Sequence, residues 1–191
     1  MRSGRACIQD MRRVHLDPAA RYDLVLQCKA KEDLPVTHDI VARLRKAGLS
    51  LPPAAAAAGN YVPWTRAGGT VYISGQLPLQ DGKLLHTGRL GDGVSLEEGQ
   101  AAARACALNI LAQLQAALDG DLGRVRQCLK LGGFVASTSG FHDHPKVVNG
   151  ASDLMVLALG ENGRHARFAV GVASLPMNAA VEIDATFEVD L

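Results

Sequence analysis

The chain has 191 residues, 48% of them hydrophobic and only 4% aromatic, so it fits one domain with an aliphatic, alanine-rich core. Its formal net charge of +1 argues against an extended binding surface for nucleic acid or for a membrane. No apolar run approaches the roughly 18 residues of a membrane span, and the N-terminus lacks the continuous apolar region of a secretory signal.

The four cysteines are scattered without a CxxC pair, which favours neither a zinc site nor a disulfide framework. We therefore expect a reduced, cytoplasmic protein. Residues 1–35 mix Arg, Asp and Lys with no clear period, and we treat them as a poorly ordered N-terminal extension. The compact domain is expected at residues 36–191.

The first half of that domain is expected to be rich in turns. Its predicted elements, in chain order, are a short helix opened by Thr37-His38-Asp39, a loop over 51–60, a strand over 70–74 and a hairpin turn at Asp81-Gly82. Ser95 and Glu98 then have the spacing of a capping box, which predicts a helix from there to about Leu118.

The second half predicts a long strand, a second helix and two further strands, over 125–137, 144–159, 167–174 and 180–189. Gly160 is placed to end the second helix. Two long helices with one mixed sheet make an α+β fold with both helices on one face. Because such a sheet leaves its other face uncovered, packing of the open faces in a trimer would bury it.

The last strand places two carboxylates on one face. Glu182 and Asp184 alternate with apolar residues, so both project from the same side of the strand. Carboxylates at this spacing can serve acid–base chemistry, and an ordinary solvated face gives the same pattern.

Arg167 begins a strand on which its own face carries only the small residues Ala169, Gly171 and Ala173. The opposite face carries Phe168, Val170 and Val172, which suits a core. Small residues beside an arginine leave room for a ligand or for another backbone, and a guanidinium can grip a carboxylate through two hydrogen bonds. A structural salt bridge from Arg167 to Glu182 or Asp184 is the alternative.

Other polar residues give weaker signals. Ser74 precedes a glycine but lacks the G-x-S-x-G pattern, so it is a better hydrogen-bond donor than nucleophile. His142 and His144 have no third ligand cluster at metal spacing, and we predict no metal site. The glycines at 88–93 form neither a dinucleotide nor a P-loop fingerprint.

From about Gly59 to Leu191 the sequence resembles the Rid family of reactive intermediate deaminases, also called YjgF-like. The resemblance is carried, in order, by Tyr61, VYISGQLP at 71–78, HTGRL at 86–90, Gln100, Asn109, Val148-Asn149, RFAVGVASLP at 167–176 and AVEIDATFEV at 180–189. The order and spacing of these motifs over some 130 residues make the match specific.

The resemblance implies a chorismate-mutase-like α+β fold, a homotrimer and three clefts between subunits. It implies hydrolysis of imines and enamines derived from amino acids to 2-keto acids and ammonia, with no metal or cofactor. By position, Arg167 matches the arginine that binds the substrate carboxylate, Tyr61 and Ser74 match cleft residues, and Asn149 matches the asparagine of the second helix.

Two positions depart from the family pattern. Asp184 falls where the family usually has a water-positioning glutamate, and Glu182 on the same face is the alternative acid. Ser152 stands where an aromatic residue is common, which opens the cleft. A trimeric protein that binds small carboxylates without turnover is the competing hypothesis, and the near-neutral charge makes an RNase the least favoured of the three.

Overall fold

The computed structural model describes residues 39–57 and 59–191, and the extension predicted for residues 1–35 lies outside them. The described helices are α1 (Ile40–Lys46), α2 (Leu96–Ala117) and α3 (His144–Leu159). The strands are β1 (Trp64–Ala67), β2 (Thr70–Gln76), β3 (Leu79–Gln80), β4 (Lys83–Leu84), β5 (Arg89–Leu90), β6 (Gly93–Val94), β7 (Val125–Ala136), β8 (Ala166–Val172) and β9 (Val181–Val189).

The main sheet has five strands in the order β1-β2-β9-β7-β8. All neighbours run antiparallel except β7 and β8, which run parallel because α3 carries the chain back across the sheet between them. The mixed sheet confirms the α+β class and the chorismate-mutase-like fold predicted from the sequence. β8 is one edge of the sheet and β1 the other.

Both long helices pack on one face of this sheet. The face of β9 beneath them is buried through Val181, Ile183, Ala185 and Phe187, and the alternate residues lie on the open face. The helices approach each other closely at Gly150, where a Cβ would collide with the backbone carbonyl of Gln100. This close approach packs the two helices tightly over the core, to which α2 contributes mostly alanine and leucine.

The predicted capping box is confirmed. The Glu98 amide donates to Ser95 Oγ at 3.2 Å, and the Ser95 amide donates to Glu98 Oε2 at 2.8 Å. These bonds satisfy two of the helix's orphan amides and set where α2 begins. The Asp81-Gly82 hairpin is also confirmed, with left-handed φ angles of 52° and 75° between β3 and β4.

The face assignment made for β8 is wrong. Ala169 packs against the core, while Val170 is 42% exposed and the Phe168 ring packs edge-on against Phe134 on the open face, with 5.4 Å between centroids. The small residues therefore face α3. Above Gly171, the space that a Cβ would take is filled by His144 Nε2 and Ser137 Oγ, because the beginning of α3 lies close to this edge.

β1 was not predicted, since its sequence WTRA has no apolar alternation and only its pairing with β2 makes it a strand. Within the described ranges, no helix is long and apolar enough to cross a bilayer.

Candidate functional site

Arg167 is held at the edge of the sheet by the facing helix. Its Nη1 donates to Asn149 Oδ1 at 2.9 Å and to Ser152 Oγ at 2.9 Å. Asn149 and Ser152 are three residues apart on α3, so they share one face of the helix. Ser152 also lies 3.0 Å from His165 Nε2, and we call Arg167, Asn149, Ser152 and His165 the arginine cluster.

The two bonds from Arg167 leave one edge of its guanidinium available. Nη1 carries two protons, and Asn149 and Ser152 take both of them. Nε and Nη2 contact no acceptor among residues 39–57 and 59–191, and they are the edge of a guanidinium that matches a carboxylate bidentately. The arginine therefore presents a fixed fork. The salt bridge to Glu182 or Asp184, considered above, does not form.

Glu182 and Asp184, the acidic pair, lie on the open face of β9. A Cβ at Gly132 would collide with Asp184 Oδ1, and a Cβ at Gly75 would collide with Glu182 Oε1. Each carboxylate therefore rests on a glycine of the neighbouring strand, β7 or β2. Both side chains are half-buried, so the acidic pair is not an ordinary solvated face.

Partial burial changes the ionisation of the acidic pair. Burial raises the pKa of Glu182 above its usual value, and the neighbouring Asp184 carboxylate raises it further. Burial also raises the pKa of Asp184, against the Gly132 amide and Lys130, which lower it. Carboxylates with raised pKa values are better general bases than ordinary surface acids, because they hold a proton more readily near neutral pH.

Ser74 and Gly75 form an irregularity in β2 opposite the acidic pair. Ile73 pairs with Ala185 and Gln76 pairs with Ile183, so both residues of β2 oppose the single residue Asp184. The Ser74 hydroxyl donates to the Pro63 carbonyl at 3.0 Å, and Gln76 Nε2 donates to the Ser74 carbonyl at 3.1 Å. The hydroxyl therefore fixes the irregularity as a hydrogen-bond donor.

Tyr61 lies just before Pro63, and it is 52% exposed. Its amide donates to the Gly59 carbonyl at 2.9 Å, and no contact joins its ring to the arginine cluster within the described ranges. Tyr61 is therefore tied to the Ser74–Gly75 irregularity only along the chain, through Pro63, whose carbonyl accepts from the Ser74 hydroxyl.

The arginine cluster and the acidic pair are on opposite faces of the sheet. Arg167 is in register with Leu131 and, through it, with Ala185 on the helix face, whereas Asp184 is in register with Gly132 and Phe168 on the open face. Two strand spacings, roughly 10 Å, also separate β8 from β9. A single chain therefore presents the candidate residues as two half-sites.

Histidines 142 and 144 have different surroundings. His144 Nε2 lies 3.0 Å from Ser137 Oγ, while His142 is exposed. No group of three or more His, Cys, Asp or Glu side chains that could hold a metal ion occurs in the described part of the chain.

His165 is the site residue that the sequence reasoning missed. It stands two residues before Arg167, so strand alternation alone would have placed both side chains on one face. From the sequence, Ser152 is only a position where the usual aromatic residue of the family is missing. In the structure its hydroxyl lies between His165 and Arg167.

Comparison with known proteins identifies the family context. The model of the family described as "YjgF/chorismate mutase-like, putative endoribonuclease" matches residues 41–187. Protein TCP17 of Trypanosoma cruzi is 51% identical over 152 residues, which cover 79% of this chain and 94% of that protein.

Two crystal structures are similar over most of the chain. A protein of unknown function from Agrobacterium tumefaciens is 54% identical, with a TM-score of 0.75 and coverage of 79% of this chain and 92% of that one. A "putative endoribonuclease" from Shewanella oneidensis is 40% identical, with a TM-score of 0.76 and coverage of 78% and 99%.

Proposed function

Because the chain belongs to the YjgF/chorismate-mutase-like family, we propose that it hydrolyses reactive imines and enamines derived from amino acids. Water adds to the imine carbon, and the carbon–nitrogen bond then breaks to give a 2-keto acid and ammonia. The reaction involves no change of oxidation state, so this proposal needs no redox cofactor.

The observation that carries the proposal is the guanidinium of Arg167, which is held in place through Nη1 and presents its Nε–Nη2 edge to a ligand. Asn149 and Ser152 occupy both protons of Nη1, so Nε and Nη2 remain as a planar fork for a substrate carboxylate. A carboxylate held at this fork fixes the adjacent imine carbon. Because an imine is already electrophilic, fixing its position and delivering water account for much of the required catalysis.

The acidic pair supplies the water-positioning group in this proposal. Glu182 and Asp184 have raised pKa values, and each carboxylate is held against a backbone glycine. Either acid could orient a water and accept its proton during attack. Asp184 is one methylene shorter than Glu182. Glu182 lies against Gly75, next to the proposed cleft residue Ser74 in the irregularity of β2.

A complete site in this proposal needs two copies of the chain. The arginine cluster of one copy would face the acidic pair, Ser74 and Tyr61 of the next, as expected for a homotrimer with three intersubunit clefts. The open face supports this assembly, since it carries an uncovered apolar set comprising Tyr72, Phe134, Phe168 and Val170. Burying such a patch favours association through the hydrophobic effect.

The separation of the half-sites favours a second candidate function. In one chain the two acids proposed to orient water are not beside the carboxylate-binding fork, because Glu182 and Asp184 lie on the opposite face of the sheet. A protein that binds small carboxylate metabolites without turnover would need only the arginine cluster. The two functions differ in their need for the acidic pair: imine hydrolysis requires Glu182 or Asp184, and carboxylate binding alone requires neither.

The endoribonuclease label in the family description has less support. The open face places Glu182, Asp184 and Glu188 where an RNA backbone would bring further negative charge. The net charge of +1 gives the chain little overall attraction for a polyanion.

The test couples the protein to an amino-acid oxidase and follows the loss of the imino acid that the oxidase releases. We expect faster loss than spontaneous hydrolysis, and Arg167→Ala should reduce the rate at least tenfold because the bidentate contact is lost. Arg164→Ala is the matched control, since the Arg164 side chain is exposed and pairs with Glu161 at 2.9 Å instead of with a member of the cluster. Thermal melts of both variants check that each is folded.

Two outcomes would count against this proposal. If the wild-type rate equals the spontaneous rate for a panel of amino acids, the protein is not an imine hydrolase. If Arg167→Ala and Arg164→Ala behave alike while both remain folded, Arg167 is not the carboxylate-binding residue.

A further inference from the structure

The arginine cluster continues beyond Arg167 as a chain of hydrogen bonds. Arg167 Nη1 donates to Ser152 Oγ at 2.9 Å, Ser152 Oγ lies 3.0 Å from His165 Nε2, and His165 Nδ1 lies 2.6 Å from the Gly163 carbonyl. These hydrogen bonds connect three secondary-structure elements, namely β8, α3 and the 3-10 turn Gly160–Gly163. The imidazole thus ties the guanidinium to a fixed backbone atom.

The chemistry of these groups fixes the direction of every bond. The Gly163 carbonyl only accepts, so the proton of His165 must sit on Nδ1. In neutral imidazole Nε2 then has a lone pair, and the Ser152 hydroxyl donates to it. The lone pairs of Ser152 Oγ remain free to accept from Arg167. With His165 neutral, both the proton and the oxygen of the Ser152 hydroxyl are used. With His165 protonated, the Ser152 oxygen would accept from both His165 and Arg167, and the hydroxyl proton would have no acceptor in this chain of bonds.

The surroundings of His165 also favour its neutral form. Burial has the largest effect and lowers the pKa of His165, the hydrogen bond to the Gly163 carbonyl opposes it, and the Arg167 charge lowers the pKa by a smaller amount. The backbone around Gly163 is tightly packed, since a Cβ there would collide with the Met155 carbonyl. The acceptor of the Nδ1 proton therefore cannot easily move.

Other charged groups on the neighbouring elements are engaged elsewhere. On the 3-10 turn, Glu161 pairs with Arg164 at 2.9 Å, and at the beginning of α3, Lys146 pairs with Asp143 at 3.0 Å. Lys130 of β7 lies over the Phe168 ring on the open face. Asp153 lines a groove on the outer side of α2 and α3, together with Glu97 and Arg104.

We propose that Ser152 and His165 are positioning residues that hold the Arg167 fork in its carboxylate-binding orientation while His165 is neutral. The proposal rests on the proposed function, since it assumes that Arg167 binds a carboxylate. Protonated His165 would donate from Nε2, so the Ser152 hydroxyl would lose its acceptor. The imidazolium and the guanidinium would then both donate to the same Ser152 oxygen, and the repulsion between the two charges would weaken the bond that holds the fork.

Positioning and simple charge attraction predict opposite effects of pH. If His165 acted only through its charge, protonation would attract a carboxylate and tighten binding at acid pH. If His165 acts by positioning Arg167, protonation weakens binding. A 2-keto acid stays ionised throughout the range in which a histidine titrates, so the ligand itself does not change charge.

The first experiment measures the affinity of pyruvate for the full chain by isothermal titration calorimetry between pH 5 and pH 8. We expect the wild-type dissociation constant to rise as the pH falls through the titration of His165. His165→Gln should remove this pH dependence, and Ser152→Ala should weaken binding roughly five- to tenfold at pH 8, the effect of one lost hydrogen bond. His142→Gln, a change at an exposed histidine, should keep the wild-type profile. Tighter wild-type binding at acid pH, or a His165→Gln profile like that of the wild type, would overturn the positioning role.

A second measurement needs no ligand and separates this proposal from the proposed function. NMR titration of the His165 imidazole is expected to give a pKa below the ordinary histidine value, and Arg167→Gln should raise it because a neighbouring positive charge is removed. Ser152→Ala should also move it, since Nε2 loses its donor. If pyruvate does not bind at all, the proposed function fails. If the His165 titration is the same in all three proteins, the hydrogen-bond chain itself is refuted.

Discussion

Asp184 lies directly over Gly132, in the space that a Cβ on that glycine would occupy. The two residues are register partners on β9 and β7, and the Phe168 ring of β8 closes the other side of the same space. The carboxylate is thus confined by a glycine and an aromatic edge. Its position depends on the absence of a side chain at residue 132.

Gly132→Ala should therefore destabilise the fold and displace the carboxylate. The new methyl group would meet both Asp184 and Phe168, and overpacking of this kind costs about 1–3 kcal/mol. Urea denaturation monitored by circular dichroism measures the change. Gly140→Ala is the matched control, because a Cβ there meets nothing within 4 Å. Equal unfolding midpoints for the two variants would show that the space around Asp184 is not restrictive.

Asp184→Asn should make the free energy of unfolding less dependent on pH. Because the folded-state pKa of Asp184 is raised, the folded state binds the proton more tightly than the unfolded state does. The resulting stabilisation is fully present below the ordinary aspartate pKa and is lost as the pH rises through the raised value. At pH 7 the variant should be more stable, by up to about 1 kcal/mol given the partial exposure of the side chain.

The measurement for Asp184→Asn is a series of urea titrations from pH 4 to pH 8 at one protein concentration. Asp153→Asn makes the same chemical change at an exposed position on α3 and should follow the wild-type curve. A variant at residue 184 that is less stable than the wild type at pH 7 would contradict a raised pKa.

Two inactive variants should restore activity to each other if the site is shared between copies. One variant carries Arg167→Ala, and the other carries both Glu182→Gln and Asp184→Asn. After the two are unfolded and refolded together in equal amounts, about one quarter of the intersubunit sites would combine an intact arginine with intact acids, by random assembly of a ring. The oxidase-coupled assay measures the recovery. No recovery from mixed oligomers, confirmed by mass spectrometry, would place the complete site within one chain.

Val170→Lys should prevent assembly. Val170 is 42% exposed on the open face, and a buried, unpaired lysine at an interface between copies is strongly unfavourable. We expect a monomer by size-exclusion chromatography with light scattering, and loss of imine hydrolysis with it. Val156→Lys is the control, because Val156 is 39% exposed on the outer side of α3. Unchanged mass for both variants would mean that copies do not meet through the open face.

The sequence predicted those features that depend on local pattern. The alternation around Glu182 and Asp184 identified β9 and its two faces, and the Ser95–Glu98 spacing identified the beginning of α2. The family resemblance named Arg167 and Asn149, and the hydrogen bond between them is a finding of the structure. The first two of these signals each lie within a few consecutive residues, and the resemblance rests on short motifs taken one at a time.

What the sequence could not predict depends on where each strand lies in the sheet. The Phe168 face of β8 has the composition of a core, but β8 is an edge strand whose other face lies under α3, so the small residues are the ones covered. The side of the sheet on which Arg167 lies, relative to Asp184, follows from the register of three strands. No pattern within one strand contains that information.

The residues that hold Arg167 come from a short continuous stretch of chain. Asn149 and Arg167 are 18 residues apart in sequence, and Ser152 and His165 lie between them. Contacts of such low sequence separation need little loop closure, so this half of the site can form with its own helix–turn–strand unit, before the distant strands pair. The acids belong to a different unit, β9. Substitutions that alter which carboxylate is recognised can therefore accumulate in one segment without disturbing the residues proposed to handle water.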